Sequence, residues 1–225
     1  MILLRSVTNM HQQFIQDRLL PIEYSEKESL EKKSKYELDE EMALSNYLKA
    51  MGTQPFENFR RASVLIPLVK NNTDQQWDVI LTRRAKHLKH HPGEISFPGG
   101  RFENGDLDLQ VTAKRETFEE IGIEAQKIEI IGRLPQQNTI SQYKVTPYIG
   151  IVDPDYKITI DKNEVDEAFL VPLSFALDKQ NHQRIDKRIK NQSYSYYVIQ
   201  YNDYNIWGAT ARMLLNLSHR LSTNT

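Results

Sequence analysis

The chain has 225 residues, 39% of them hydrophobic and 26% charged, with a net charge of −1 and no cysteine. Enough apolar material is present for a core, and one soluble domain of ordinary to large size is expected. Disulfides and thiolate metal sites are excluded outright, and the strongly basic balance of proteins that wrap nucleic acid is missing.

The opening MILLRSVTNMHQQF turns polar too early for a signal-peptide core, and no apolar run approaches a membrane span. A cytoplasmic protein with neither nucleic-acid nor membrane partners is expected. Residues 1–58 read as a helical N-terminal extension. Phe14, Leu19 and Leu20 offer a short apolar face, and Ser25 to Lys33 is a solvated helix or an extended linker of mixed charge. Met42, Leu44, Tyr47, Leu48 and Met51 recur at helical spacing and should pack on the domain that follows.

From Ala62 the pattern changes to β. Val64 to Val69 is an apolar run closed by Asn71-Asn72-Thr73-Asp74, and Trp77 to Thr82 is its antiparallel partner. Further strands are expected at Lys127–Leu134, Val145–Val152, Lys157–Ile160, Val165–Val171 and Ser195–Tyr201. A final helix is expected over Ala209–Leu221, with Met213, Leu214 and Leu217 inward. Strands and helices alternate irregularly, which suits an α/β class with helices on both faces of a mixed sheet.

The chemistry gathers between Ile80 and Ile123, a stretch holding five of the nine glycines: Gly93, Gly99, Gly100, Gly105 and Gly122. Its basic half contains Arg83, Arg84, Lys86 and Lys89 with His87, His90 and His91, and no acid between Val79 and Gly93. Such a run is either a solvated loop or a binding edge for a polyanion. The histidines could instead hold a transition metal, but H-x-x-H-H on a loop is thin support. The second half opens with the Phe97-Pro98-Gly99-Gly100 turn and continues as a helix ending at Ile121. Asp106 or Asp108 is its N-cap and Gly122 its left-handed stop. Glu116, Glu119 and Glu120 stand at i, i+3 and i+4 on one helix face. They form either a solvated acidic face or a site for a hard cation, since such ions prefer oxygen ligands.

The glycine turn followed by Arg115-Glu116-Thr117-Phe118-Glu119-Glu120-Ile121-Gly122 resembles the Nudix box, the signature of hydrolases of nucleoside diphosphate derivatives. The spacer from Gly100 to Arg115 is one residue longer than usual. Leu107 stands where the early glutamate belongs, with Asp106 beside it, and Thr117 replaces an aliphatic residue. The longer spacer, Ile80-Leu81-Thr82-Arg83-Arg84, Leu88-Lys89, Gly93 and Phe97-Pro98-Gly99-Gly100 through Glu103 resemble the coenzyme A pyrophosphatase subgroup. Ala85 and Glu103 stand in place of its serine and aspartate. Leu134-Pro135 through Val145-Thr146-Pro147 and Ile206-Trp207-Gly208-Ala209-Thr210-Ala211 are similar to two further motifs of that subgroup, and Trp207 is expected in the core.

The resemblance covers roughly residues 60–220 and implies a Nudix-type α/β/α sandwich on a mixed β-sheet, assigned to residues 59–225. It implies Mg²⁺ or Mn²⁺ held chiefly by Glu116 and Glu120, with Glu119 as a further direct or water-mediated ligand. Glu119, Glu120 and Arg115 form the catalytic set, Arg115 pairing with a glutamate to hold it. Thr82, Arg83, Arg84, Lys89, Gly99 and Gly100 are the substrate-binding candidates, with the Gly99–Gly100 backbone near the metal. The implied reaction cleaves coenzyme A or acyl-coenzyme A to 3′,5′-ADP and (acyl-)4′-phosphopantetheine. Alternatives are a Nudix pyrophosphatase for ADP-ribose or NADH, or a nucleotide-sensing domain without catalysis. Glu164 is a candidate base but reads better as part of a solvated acidic turn. A homodimer is left open.

Overall fold

The computed structural model describes residues 35–52, 59–71, 76–189 and 192–222. Phe14, Leu19, Leu20 and the Ser25 to Lys33 segment therefore lie outside the described residues, as do Asn72 to Asp74. In chain order the first elements are α1 (Lys35–Ala50), β1 (Arg60–Lys70), β2 (Trp77–Arg84), β3 (Ile95–Ser96) and β4 (Gly99–Arg101). Then come α2 (Leu109–Ile121), β5 (Ile128–Arg133), β6 (Gln137–Asn138), β7 (Tyr143–Val152) and β8 (Val165–Pro172). The chain continues through α3 (Leu173–Leu177), β9 (His182–Ile189), β10 (Gln192–Tyr201), β11 (Tyr204–Trp207) and α4 (Gly208–Ser222).

β1 is almost continuously apolar because it lies inside the sheet with both faces covered. It runs antiparallel to β2, Leu68 opposite Val79, and the Asn71 amide donates to the Gln76 carbonyl at 2.8 Å to close the hairpin. On its other side β1 runs parallel to β7, from Arg60 opposite Tyr143 to Leu68 opposite Ile151. β8 pairs β2 and β5 pairs β7, both antiparallel, so the eight-stranded sheet is mixed as expected. Successive β2 residues face opposite ways, as the two-residue period of a strand requires. Ile80 joins Leu65, Leu109, Ala113 and Ile121 under α2, whereas Val79 and Leu81 join Met213, Leu214 and Leu217 of α4. A three-stranded antiparallel sheet, β11-β10-β9, packs Ile199 and Ile206 into that second layer. Helices on both faces of a mixed sheet give the α/β/α sandwich.

Three expectations are corrected. Lys157–Ile160 forms no strand; this segment crosses the end of α2, where the Thr159 amide donates to the Ile121 carbonyl at 2.9 Å. A backbone satisfied by a helix terminus has no need of a sheet neighbour. On α1, Leu44 and Leu48 are buried but Met42 and Met51 point outward, because one stripe of a helix suffices for its docking. Trp207 is 40% exposed, on the side of β11 opposite the buried Ile206. Strand β9 has no counterpart among the expected strands, since a polar, two-sided strand lacks a clear alternation.

Candidate functional site

α2 begins where Asp108, in extended conformation, accepts the Val111 amide at 2.8 Å. It stops at Gly122, whose φ of 73° lets its amide reach the Phe118 carbonyl at 2.8 Å. Asp108, not Asp106, is thus the N-cap. Thr117, in the place of the usual aliphatic residue, is fully buried with its hydroxyl donating to the Ala113 carbonyl at 2.7 Å.

Asp106 has a different task. It receives Arg115 Nε on Oδ1 at 2.9 Å and Nη2 on Oδ2 at 3.1 Å, a bidentate pair. It also accepts the Glu103 amide at 3.0 Å and the Thr112 hydroxyl at 2.8 Å. Arg115 and these donors hold the Asp106 carboxyl well below the usual carboxylate range. From that anchorage Arg115 reaches Glu119 Oε2 at 2.7 Å, Glu116 Oε1 at 3.0 Å and the Arg101 carbonyl at 3.0 Å. Arg115 holds two glutamates, and an aspartate that the sequence placed merely beside the box holds Arg115. The available signal was an acid next to the exposed Leu107, which stood at the expected offset.

Glu116 and Glu120 come together against the glycine turn. Glu120 is 2% exposed, its carboxylate accepts the Gly99 amide, and its Oε2 is buried with no hydrogen-bond partner. Burial pushes the Glu120 carboxyl up to about 8, with Glu116 and Glu164 adding to the shift and Arg84 opposing it. Burial also raises the Glu116 carboxyl, against the pull of Arg115. Gly100 lies so close that a Cβ there would stand 2.4 Å from Glu116 Oε1. A Cβ at Gly99 would stand 2.4 Å from the Ser63 carbonyl oxygen, so both glycines are required by close approach.

The basic run borders this cluster. The Ala85 amide donates to the Glu164 carbonyl at 2.9 Å, and His87 Nε2 lies 3.1 Å from the Asn163 carbonyl oxygen. The loop is thereby tied to the turn carrying Glu164, whose charge acts on both Glu116 and Glu120. Arg84 lies within electrostatic reach of Glu120, and its Nε is buried without a hydrogen-bond partner. Arg83 lies elsewhere, 3.4 Å from Glu167 Oε2 and over the Tyr204 ring at 4.9 Å. Thr82 is fully buried, with its hydroxyl 3.2 Å from Ser96 Oγ, a tie between β2 and β3. Lys89 is exposed on the loop. His91 bonds Glu94 at 2.8 Å, and the three histidines are not assembled into a site.

Among the described residues no group of three His, Asp or Glu side chains is gathered as a ready metal cage. Glu116 and Glu120 nevertheless suit a hard cation. One offers a buried oxygen without a donor, the other lies against main chain that only glycine leaves open, and the charge of Glu116 raises the proton affinity of Glu120. Glu119 is turned to Arg115 and is half exposed.

The family model described as NUDIX domain matches residues 59–192. The uncharacterized Nudix hydrolase NudL of Enterobacter sp. (strain 638) is 34% identical over 181 residues, covering 80% of this chain and 93% of its own length. The protein of the same name from Salmonella typhimurium is 34% identical over 185 residues, covering 82% and 95%. Among solved structures, a C. elegans Ap4A hydrolase binary complex is similar at a TM-score of 0.43 and 18% identity, over 52% of this chain and 83% of that one.

Proposed function

The chain belongs to the NUDIX family and is a Nudix hydrolase acting on nucleoside diphosphate derivatives, and from that premise we propose that its substrate is coenzyme A or an acyl-coenzyme A. The products are then 3′,5′-ADP and 4′-phosphopantetheine or its acyl form. The observation that carries this reading is the attachment of the basic loop to the Glu164 turn, beside Glu116 and Glu120. A diphosphate lying at the carboxylates would meet Arg84 there, and a further 3′-phosphate would find Lys89 and its basic neighbours within the same loop.

Nudix hydrolases generally use divalent metals. Here Glu116 and Glu120 would hold Mg²⁺ or Mn²⁺, with Glu119 as the further candidate ligand. The ion supplies charge neutralisation at the diphosphate and Lewis acidity toward the attacking water. Arg115 keeps Glu116 and Glu119 in position, and Arg84 orients the diphosphate. Glu164 is a further carboxylate with electrostatic reach to both central glutamates, which makes it the candidate to accept the proton of the attacking water. A chain without cysteine suits a reducing cytoplasm.

The test is turnover of coenzyme A, acetyl-coenzyme A, dephospho-coenzyme A, ADP-ribose and NADH with Mg²⁺ or Mn²⁺, with products identified. Coenzyme A turned over in preference to its dephospho form supports the reading. Equal turnover of the two removes the role given to the basic loop, and preference for ADP-ribose or NADH replaces the substrate.

A further inference from the structure

α1 precedes the stretch matched by the family model, yet it makes a specific polar contact with the loop between β5 and β7. Its Leu44 and Leu48 are buried, 1% and 2% exposed, and Tyr47 meets Tyr194 of β10 with ring centroids 4.7 Å apart. Glu41, one turn before Leu44 on the same helix, accepts the Asn138 side-chain amide on Oε1 at 3.1 Å.

Asn138 and Gln137 make up β6, whose two residues pair with Lys144 and Val145 of β7. So short a strand has few ladder bonds, and its position depends on side chains that clamp it. α4 clamps it from one direction: Arg212 Nε donates to Gln137 Oε1 at 3.0 Å, and Nη2 donates to the Asn138 carbonyl at 2.7 Å. α1 clamps it from another through Glu41. Gln137 and Asn138 are 6% and 8% exposed, so a displaced amide there would lose its partner without gaining water.

Immediately before β6, Gln136 Nε2 donates to Thr146 Oγ1 at 2.9 Å. Ser63 Oγ donates to the Thr146 carbonyl at 3.0 Å, and Ser63 is the register partner of Gly100. Gly100 in turn is pressed against Glu116. A polar row, Gln136, Thr146, Ser63, Gly100, therefore runs from the loop clamped by α1 to the carboxylate site, and Thr146 and Ser63 within it are fully buried.

We propose that Glu41 is a positioning residue for the active site, fixing the 134–142 loop through Asn138, so that α1 supports the seat of Gly100 and Glu116. Its kinetic consequence rests on the Nudix hydrolase reading, but its structural consequence does not.

The test uses the full chain with Glu41→Ala and Glu41→Gln. The glutamine retains an oxygen for the Asn138 amide, whereas alanine leaves none. Amide hydrogen exchange is followed over residues 134–142, with α4 and β1 as internal references. Glu41→Ala is expected to raise exchange in that loop roughly tenfold and to lower kcat/KM by a similar factor, as loss of one charge-assisted bond implies. Glu41→Gln should restore both readouts. Unchanged exchange at 134–142 in Glu41→Ala overturns the proposal. So does equal impairment of the two variants, or a fall in kcat matching a global fall in Tm. kcat/KM is read on whichever diphosphate the parent enzyme hydrolyses, so failure of the coenzyme A assignment leaves this test intact. Were no substrate found, the exchange pattern alone decides.

Discussion

Arg115 and Asp106 stand nine positions apart in the chain and meet as a bidentate pair at 2.9 and 3.1 Å, with the Asp106 side chain only 3% exposed. The arginine that lies among Glu116, Glu119 and Glu120 is thus aimed by a buried aspartate at the entrance to its own helix.

Asp106→Asn is expected to cost about 2 kcal/mol of stability at neutral pH, because it removes the charged, bidentate acceptor of Arg115 while Glu116 and Glu119 still pair with it. The folded Asp106 carboxyl lies below its ordinary value of 3.8, so its contribution is present above 3.8 and is lost as pH falls below it. Chemical denaturation of the variant and parent at pH 7 and at pH 3 checks both statements, and the gap between the two should have begun to narrow at pH 3.

Glu120 behaves in the opposite sense. Its folded value of about 8 lies above the ordinary 4.5, so the folded chain retains a proton that the unfolded chain releases between those values. Stability of the metal-free protein should fall as pH rises through that window. Glu120→Gln should raise the metal-free Tm at pH 8 with the gain vanishing near pH 4.5, while abolishing Mg²⁺-dependent hydrolysis. Wild-type turnover in this variant would remove Glu120 from the metal site.

The two glycines of the turn should fail differently. At Gly100 an added methyl group collides with the Glu116 carboxylate, which can swing aside, so Gly100→Ala should fold and lose roughly a hundredfold in kcat/KM through misplacement of that group. At Gly99 the collision is with the backbone of Ser63 and Val64, which cannot yield locally, so Gly99→Ala should lose soluble, folded protein. Gly105→Ala has open space around it and serves as the control.

Arg83 and Arg84 are neighbours with separate fates. Arg84→Ala should raise KM for the diphosphate roughly tenfold, the usual weight of one charge-assisted contact. Arg83→Ala should leave KM unchanged and lower Tm slightly through loss of its contacts with Glu167 and Tyr204. Steady-state kinetics with matched thermal melts distinguishes them.

Much of this protein is local and therefore legible in the residues alone. The capped helix with Glu116, Glu119 and Glu120 on one face follows from helical period, an acidic cap at Asp106 or Asp108 and the stop at Gly122. The hairpin of β1 and β2 follows from two apolar runs and an Asn-rich turn. The basic run and the glycine turn are visible as composition. The tertiary structure decided which of these groups meet. Sheet alternation and a bulge separate Arg84 from Arg83. Burial divides three equivalent glutamates into a close pair, Glu116 and Glu120, and a third, Glu119, turned to Arg115. The Phe97-Pro98-Gly99-Gly100 turn and the helix, continuous in sequence, are welded at Gly100 and Glu116 by an approach only glycine permits. Charge and periodicity are properties of a segment, whereas desolvation and contact across the sheet exist only after the strands have closed.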